Sequence, residues 1–197
     1  MLRRTILIFG AALSVSACDK ASAPSPGASF QGIDITGADY AKDLPLPDVD
    51  GRVRTLAEFR GKAVVVFFGF TQCPDVCPTT LSELAAVKKE LGASGERVQT
   101  VFVTIDPERD SAEILKNYVA AFGPDVIALR GTPEQTLAAA KSFKVFYQKV
   151  PGREPGSYSM DHTAGAYVFD PQGKVRLFVR YGQPVSAWVA DLKQLLG

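Results

Sequence analysis

Two cysteines four positions apart, Cys73 and Cys77, and a single histidine, His162, are the side chains in these 197 residues best suited to chemistry. Cys73-Pro74-Asp75-Val76-Cys77 is a C-x3-C loop, one residue longer than the usual redox C-x2-C. The extra residue lets the two sulfurs spread to flank a metal, and it still permits a disulfide where the Cα atoms stay within about 7 Å. Two thiolates need a further ligand to enclose a metal, and His162, in Ser159-Met160-Asp161-His162-Thr163-Ala164, carries the sole imidazole. Two soft sulfurs with an imidazole suit Cu(I) or Cu(II) better than hard cations. Three ligands also leave a face open, which suits an ion that must be passed on.

The elements that must position these residues follow from apolar periodicity. Val64 to Phe70 is a continuous Val- and Phe-rich run, as expected for a buried parallel strand. The cysteine loop follows at once, and Pro78 is acceptable in a first helical turn. Leu81, Leu84, Ala85, Lys88 and Leu91 keep one helical face until Gly92. Val98 to Ile105 predicts a second buried strand. Asp110-Ser111-Ala112-Glu113 matches a capping pattern for a helix with apolar positions Ile114, Leu115, Tyr118, Val119 and Phe122. A short strand over Val126 to Leu129 and a helix over Pro133 to Phe143 come next. Ala164 to Phe169 and Val175 to Val179 flank the turn sequence Asp170-Pro171-Gln172-Gly173. A last helix runs from about Pro184 to Leu196, with Trp188 on its buried face. Strands alternating with helices and ending in a hairpin and a helix predict an α/β fold, a central mixed sheet with helices on both faces. A reactive pair between the first long strand and its helix is the thioredoxin arrangement. It puts both sulfurs at a helix N-terminus, where partial positive charge favours thiolate.

Outside the domain, the N-terminus reads as targeting sequence. Arg3 and Arg4 precede an apolar run, Ile6 to Val15, too short to span a bilayer. Leu13-Ser14-Val15-Ser16-Ala17-Cys18 looks like a bacterial lipoprotein cleavage box, which makes residues 1–17 a signal peptide and Cys18 the lipidated N-terminus; an ordinary secretory signal is the alternative. Two acyl chains suffice for stable anchoring. Asp19 resembles an inner-membrane retention signal, and Arg3-Arg4 leaves the export route open. Residues 18–40, rich in Ala, Ser, Pro and Gly, read as lipidated cysteine plus flexible tether, with the domain over 41–197. No later stretch is long and apolar enough for a transmembrane helix. With Cys18 used for lipid, the remaining cysteine pair is too little for a disulfide framework and is expected to do chemistry. The apolar fraction of 46% suits one real core, and the net charge of +1 gives no field that would favour nucleic acid.

Phe68-Gly69-Phe70-Thr71-Gln72-Cys73-Pro74-Asp75-Val76-Cys77-Pro78-Thr79, Thr104-Ile105-Asp106-Pro107-Glu108-Arg109-Asp110 and Asp161-His162-Thr163 together resemble the Sco/SenC family. The resemblance runs from about Leu44 to the C-terminus. It implies a thioredoxin-like, membrane-tethered, exported protein that binds copper through Cys73, Cys77 and His162. It further implies assistance in assembling the binuclear copper centre of cytochrome c oxidase subunit II, with a periplasmic copper donor upstream. The expected location is the periplasmic face of the bacterial inner membrane, and a monomer is the default.

Two other functions compete. Cys73 and Cys77 permit a thiol-disulfide oxidoreductase acting on the oxidase's copper-ligand cysteines, one thiolate attacking and the other resolving. Against a general oxidoreductase stand the C-x3-C spacing and the lack of a proline in His162-Thr163-Ala164-Gly165. A peroxiredoxin-like peroxidase would want threonine three residues before the reactive cysteine, where this chain has Phe70. Around the site, Asp75 reads as a turn former, and Asp106 as a strand-end cap or a residue orienting a ligand. Arg109 and Asp110 read as a local ion pair and helix cap, and Met160 as a packing residue or an auxiliary sulfur. Tyr158, Tyr167 and Phe70 read as core or rim.

Overall fold

A computed structural model describes residues 29–197. The signal peptide expected over residues 1–17 and the expected anchor Cys18 lie outside the described residues.

Four elements before the long strand are short: β1 (Ile33–Asp34), β2 (Leu46–Pro47), β3 (Val53–Arg54) and a 3-10 turn over Leu56–Phe59. Then come β4 (Ala63–Gly69), α1 (Val76–Glu90), β5 (Val98–Thr104), α2 (Ala112–Ala120), β6 (Ile127–Leu129) and α3 (Pro133–Ser142). The chain closes with β7 (Tyr147–Pro151), β8 (Tyr158–His162), β9 (Gly165–Phe169), β10 (Val175–Arg180) and α4 (Val185–Leu196). The central sheet has the order β1-β10-β9-β4-β5-β6. Its β4–β5–β6 half is parallel and its β4–β9–β10–β1 half antiparallel, so the sheet is mixed as expected. β2 with β3, and β7 with β8, form two small antiparallel pairs apart from it.

Every residue of β4 and β5 is buried, which is what a strand covered on both faces requires and why its sequence is continuous rather than alternating. Alternation survives in what the side chains meet. The Phe67 ring meets Phe102, which meets Tyr118 of α2. The Phe68 ring meets Phe143, at the end of α3, which meets Tyr167. Helices therefore cover both faces, and the odd-numbered positions of β4 define the face that carries the site. Trp188 is buried on α4, as expected, and α4 packs on α1. Ile114, expected on the apolar face of α2, is exposed; Leu115 and Val119 make the buried contacts there.

Two expectations need correction, and one element is new. The N-cap of α2 is Ser111, whose hydroxyl accepts from Ile114 N, so Asp110 is one residue outside the helix and free for other work. The tether expected over residues 18–40 ends earlier than Tyr40. Ile33 and Asp34 pair with Phe178 and Leu177 of β10, and the Gln31 and Gly32 amides donate to the Asp191 carboxylate at 2.7 and 2.8 Å. A two-residue strand is too short to show a period among small polar residues, and the carboxylate that holds it lies on α4. Finally, the β7–β8 hairpin had no sequence forecast, because Tyr-Gln-Lys-Val-Pro and Tyr-Ser-Met-Asp-His have neither the β-branched run nor the clean alternation of a strand.

Asp191 is itself almost fully buried, so removing its carboxylate strips partners from two amides at once. Asp191→Ala is expected to lower stability by about 1–3 kcal/mol. Hydrogen exchange should show the lost protection concentrated at residues 31–34; uniform loss across the sheet would contradict this role for the carboxylate.

Candidate metal centre

The cysteine loop is built by the end of β4 and the start of α1. Asp75 occupies the N-cap position of α1, yet its side chain makes no capping bond. The Cys73 sulfur takes that place, accepting from the Cys77 amide at 3.4 Å. An orphan N–H and the positive end of α1 thus both point at sulfur. Asp75 instead accepts from the Thr79 and Tyr181 hydroxyls at 3.3 and 3.4 Å, in keeping with a loop-shaping role.

Cys77 lies in the first turn of α1 and is fully buried, whereas Cys73 is half-exposed. What lets Cys77 reach the sheet is Gly69. A Cβ at that position would stand 2.8 Å from the Cys77 sulfur and 2.8 Å from the Phe102 ring. Glycine in a strand interior marks such a close approach. The two cysteines are free thiols with sharply different acidities. A hydrogen bond from the Cys77 thiol, and then the Asp75 and Cys77 amides, bring Cys73 down to about 5, against the opposing cost of burial. Donating that same proton to Cys73, and burial, push Cys77 far up. One thiolate and one thiol, sharing a proton, are the state at neutral pH.

His162 ends β8 and reaches back over this loop. Its Nδ1 lies 3.0 Å from the Thr163 carbonyl, which can only accept, so Nδ1 carries the proton. The lone pair is then on Nε2, which lies 3.7 Å from the Cys77 sulfur. Phe67 and Phe70 wall the imidazole edge-on, at ring separations of 6.2 and 6.0 Å. The two sulfurs and a ring nitrogen of His162 all lie within 4.8 Å of one another. Among the described residues this is the one grouping of three such side chains that could hold a metal ion. Fixing the far nitrogen on a carbonyl is how a metal-binding histidine is oriented in general.

The acidic residues nearby do other work. Asp110, read as a helix cap paired with Arg109, is fully buried and accepts from the Thr71 amide and hydroxyl and from the Thr104 hydroxyl, at 3.1, 2.6 and 2.5 Å. It fastens the turn before Cys73 to the end of β5, and burial raises its pKa above the usual carboxylate value. Arg109 pairs with Asp106, three residues back. Asp106 also accepts from the Tyr158 hydroxyl at 2.9 Å. Met160 is buried in the core cluster. The walls Phe67 and Phe70, the opening at Gly69 and the contact between Asp106 and Tyr158 were not read as parts of a site. Of these only Gly69, interrupting a Val/Phe run, left a signal in the sequence.

A profile of the SCO1/SenC family matches residues 34–197. The chain belongs to the SCO1/SenC family. The human mitochondrial SCO2 homolog is 41% identical over 141 residues, which is 71% of this chain and 52% of that protein. This SCO1/SenC chain thus spans about half the length of the curated relatives it matches. Among solved structures, Bradyrhizobium japonicum ScoI with copper bound is 36% identical with a TM-score of 0.70, covering 78% of this chain and 98% of that one. The apo Sco1 protein from Thermus thermophilus is 41% identical with a TM-score of 0.76, covering 85% and 98%. The sheet described above is accordingly the thioredoxin-like fold of the Sco proteins.

The unequal thiols give a pH signature. Alkylation of the reduced protein by iodoacetamide should label Cys73 and spare Cys77. The rate should be level above about pH 6 and fall about tenfold per unit once the pH drops below 5. Labelling that rises only near pH 8.5 to 9, as for a free thiol, would contradict the shared-proton arrangement.

Proposed function

We propose that this protein holds a copper ion between Cys73, Cys77 and His162 and hands it on during assembly of the binuclear copper centre of cytochrome c oxidase. The observation that carries this reading is the convergence of two sulfurs and a ring nitrogen of His162 within 4.8 Å. Donors of this softness suit Cu(I), and the imidazole lets the same site take Cu(II). The fit needs little rearrangement, since Cys73 is already a thiolate and only the Cys77 proton has to leave. A half-exposed Cys73 leaves an open side from which incoming thiolates can displace the protein's own.

Copper is cargo in this scheme, and the natural acceptor is the subunit II site of the oxidase, supplied through a periplasmic copper donor. The lipoprotein-like box ending at Cys18 supports a location at the periplasmic face of the inner membrane, with Cys18 as the proposed anchor. Among the described residues no helix is long and apolar enough to cross a membrane.

A second reading, thiol-disulfide exchange, is favoured by one specific observation, the low-pKa Cys73 backed by a buried Cys77 thiol. The Cys73 thiolate would attack a partner disulfide and release one partner thiolate. Cys77 would then displace the second, leaving a Cys73–Cys77 disulfide and two reduced partner thiols.

Histidine separates the two. Titrations of the purified chain with Cu(I) and Cu(II) should show affinity falling more than about 100-fold in Cys73→Ser, Cys77→Ser and His162→Ala, beyond the loss usual for an outer-shell partner. Oxidase assembly in cells carrying His162→Ala should fail along with copper binding. Unchanged copper affinity in the double cysteine variant would overturn the copper reading. Normal assembly with His162→Ala, but none with either cysteine variant, would transfer the function to thiol exchange.

A further inference from the structure

We propose that Arg109 is the positioning residue for the His162 imidazole, acting through the β7–β8 hairpin that carries it. This rests on the reading of His162 as a copper ligand.

The hairpin is not part of the central sheet, so no ladder of that sheet fixes where β8 lies. Its attachments on the side of the site come from the loop between β5 and α2. Arg109 makes three of them or enables them. Its Nη1 donates to the Tyr158 carbonyl at 2.7 Å. Its guanidinium lies flat enough on the Tyr158 ring to bring Cζ within 3.6 Å of the centroid. Its Nε donates to Asp106 at 2.5 Å, and the same carboxylate accepts from the Tyr158 hydroxyl. Its Cζ also lies 6.0 Å from the centre of the Phe70 ring, against which the imidazole rests edge-on. The fourth guanidinium atom, Nη2, is buried without an acceptor among the described residues, left to the ring faces around it.

The strand period turns this into control of the imidazole. Tyr158, Met160 and His162 alternate onto one face of β8, and Met160 between the other two is buried in the core. Clamping Tyr158 and burying Met160 sets the height and rotation at which His162 arrives. Arg109 thus touches both supports of the ring, the strand that carries it and the Phe70 wall that stops it. Lys149 closes the outer side of the hairpin, pairing with Glu108 and lying 4.7 Å from the Tyr158 ring centre, whereas Arg109 also reaches the Phe70 wall.

Arginine is required by the geometry rather than by charge. A planar fork can stack on a ring while donating in two directions, and an ammonium cannot. Arg109→Lys is therefore the informative variant, since it keeps a cation beside the buried Asp106 carboxylate and loses the stack and the bond to the Tyr158 carbonyl.

The sole histidine gives a readout without metal. In the full chain, free of copper, the Cε1–Hε1 signal of the imidazole should move toward that of an unfolded histidine and sharpen in Arg109→Lys. Tyr158→Ala should reproduce the change. Tyr158→Phe, which keeps the ring, should leave the signal close to wild type. Cu(II) titrations then close a double-mutant cycle: Arg109→Lys weakens binding about tenfold when His162 is present and less than twofold when it is Ala. An imidazole signal unchanged in Arg109→Lys, or an equal loss of copper affinity in both backgrounds, would overturn the assignment. Copper affinity indifferent to His162→Ala would remove the ligand reading instead, and the copper-free signal would still decide the role of Arg109.

Discussion

A pair of sulfurs can be supplied by one loop, but the third donor has to come from elsewhere in the chain, and its approach depends on the bond between Nδ1 of His162 and the Thr163 carbonyl. That bond commits the Nδ1 proton to the backbone and aims Nε2 at the cysteines. With the opposite tautomer the same fold would point an N–H at Cys77 and could bind no metal through this ring. The walls of Phe67 and Phe70 restrict rotation that would undo the arrangement.

The cysteine side is set by a different constraint, the shortage of room between α1 and β4. Only because Gly69 lacks a Cβ can the Cys77 sulfur settle on the sheet, out of water and still protonated. Cys73, one helical turn earlier, collects the amides and the positive end of α1 and becomes the thiolate. Burial and helix electrostatics thus divide a symmetrical-looking motif into a poised ligand and a reserve one. The same inequality serves copper capture and thiol exchange, which is why the loop by itself does not choose between them. His162 is where the two readings differ, because exchange chemistry has no need of an imidazole held beside the pair.

Much of this was legible in the chain. The continuous run Val64–Phe70 and the turn Asp170–Gly173 announce the sheet because burial on both faces and tight turning restrict composition strongly. Cys73, Cys77 and His162 were legible as chemistry because few other roles suit them. The hairpin that delivers His162 was not, since most of its side chains face water and only Met160 enters the core. Nor were Asp110 and Arg109 read correctly. Both sit where a capping signal is strongest, and local pairing rules say nothing of the Thr71, Thr104 and Tyr158 groups that tertiary folding brings to them. The strand Ile33–Asp34 was hidden inside a tether-like composition for the same reason, its anchor Asp191 being far along the chain.

Copper K-edge X-ray absorption of the copper-loaded full chain reads what surrounds the metal. The arrangement described here predicts two sulfur scatterers and one imidazole, which can only be His162. A spectrum lacking the imidazole signature, or showing a single sulfur, would contradict it.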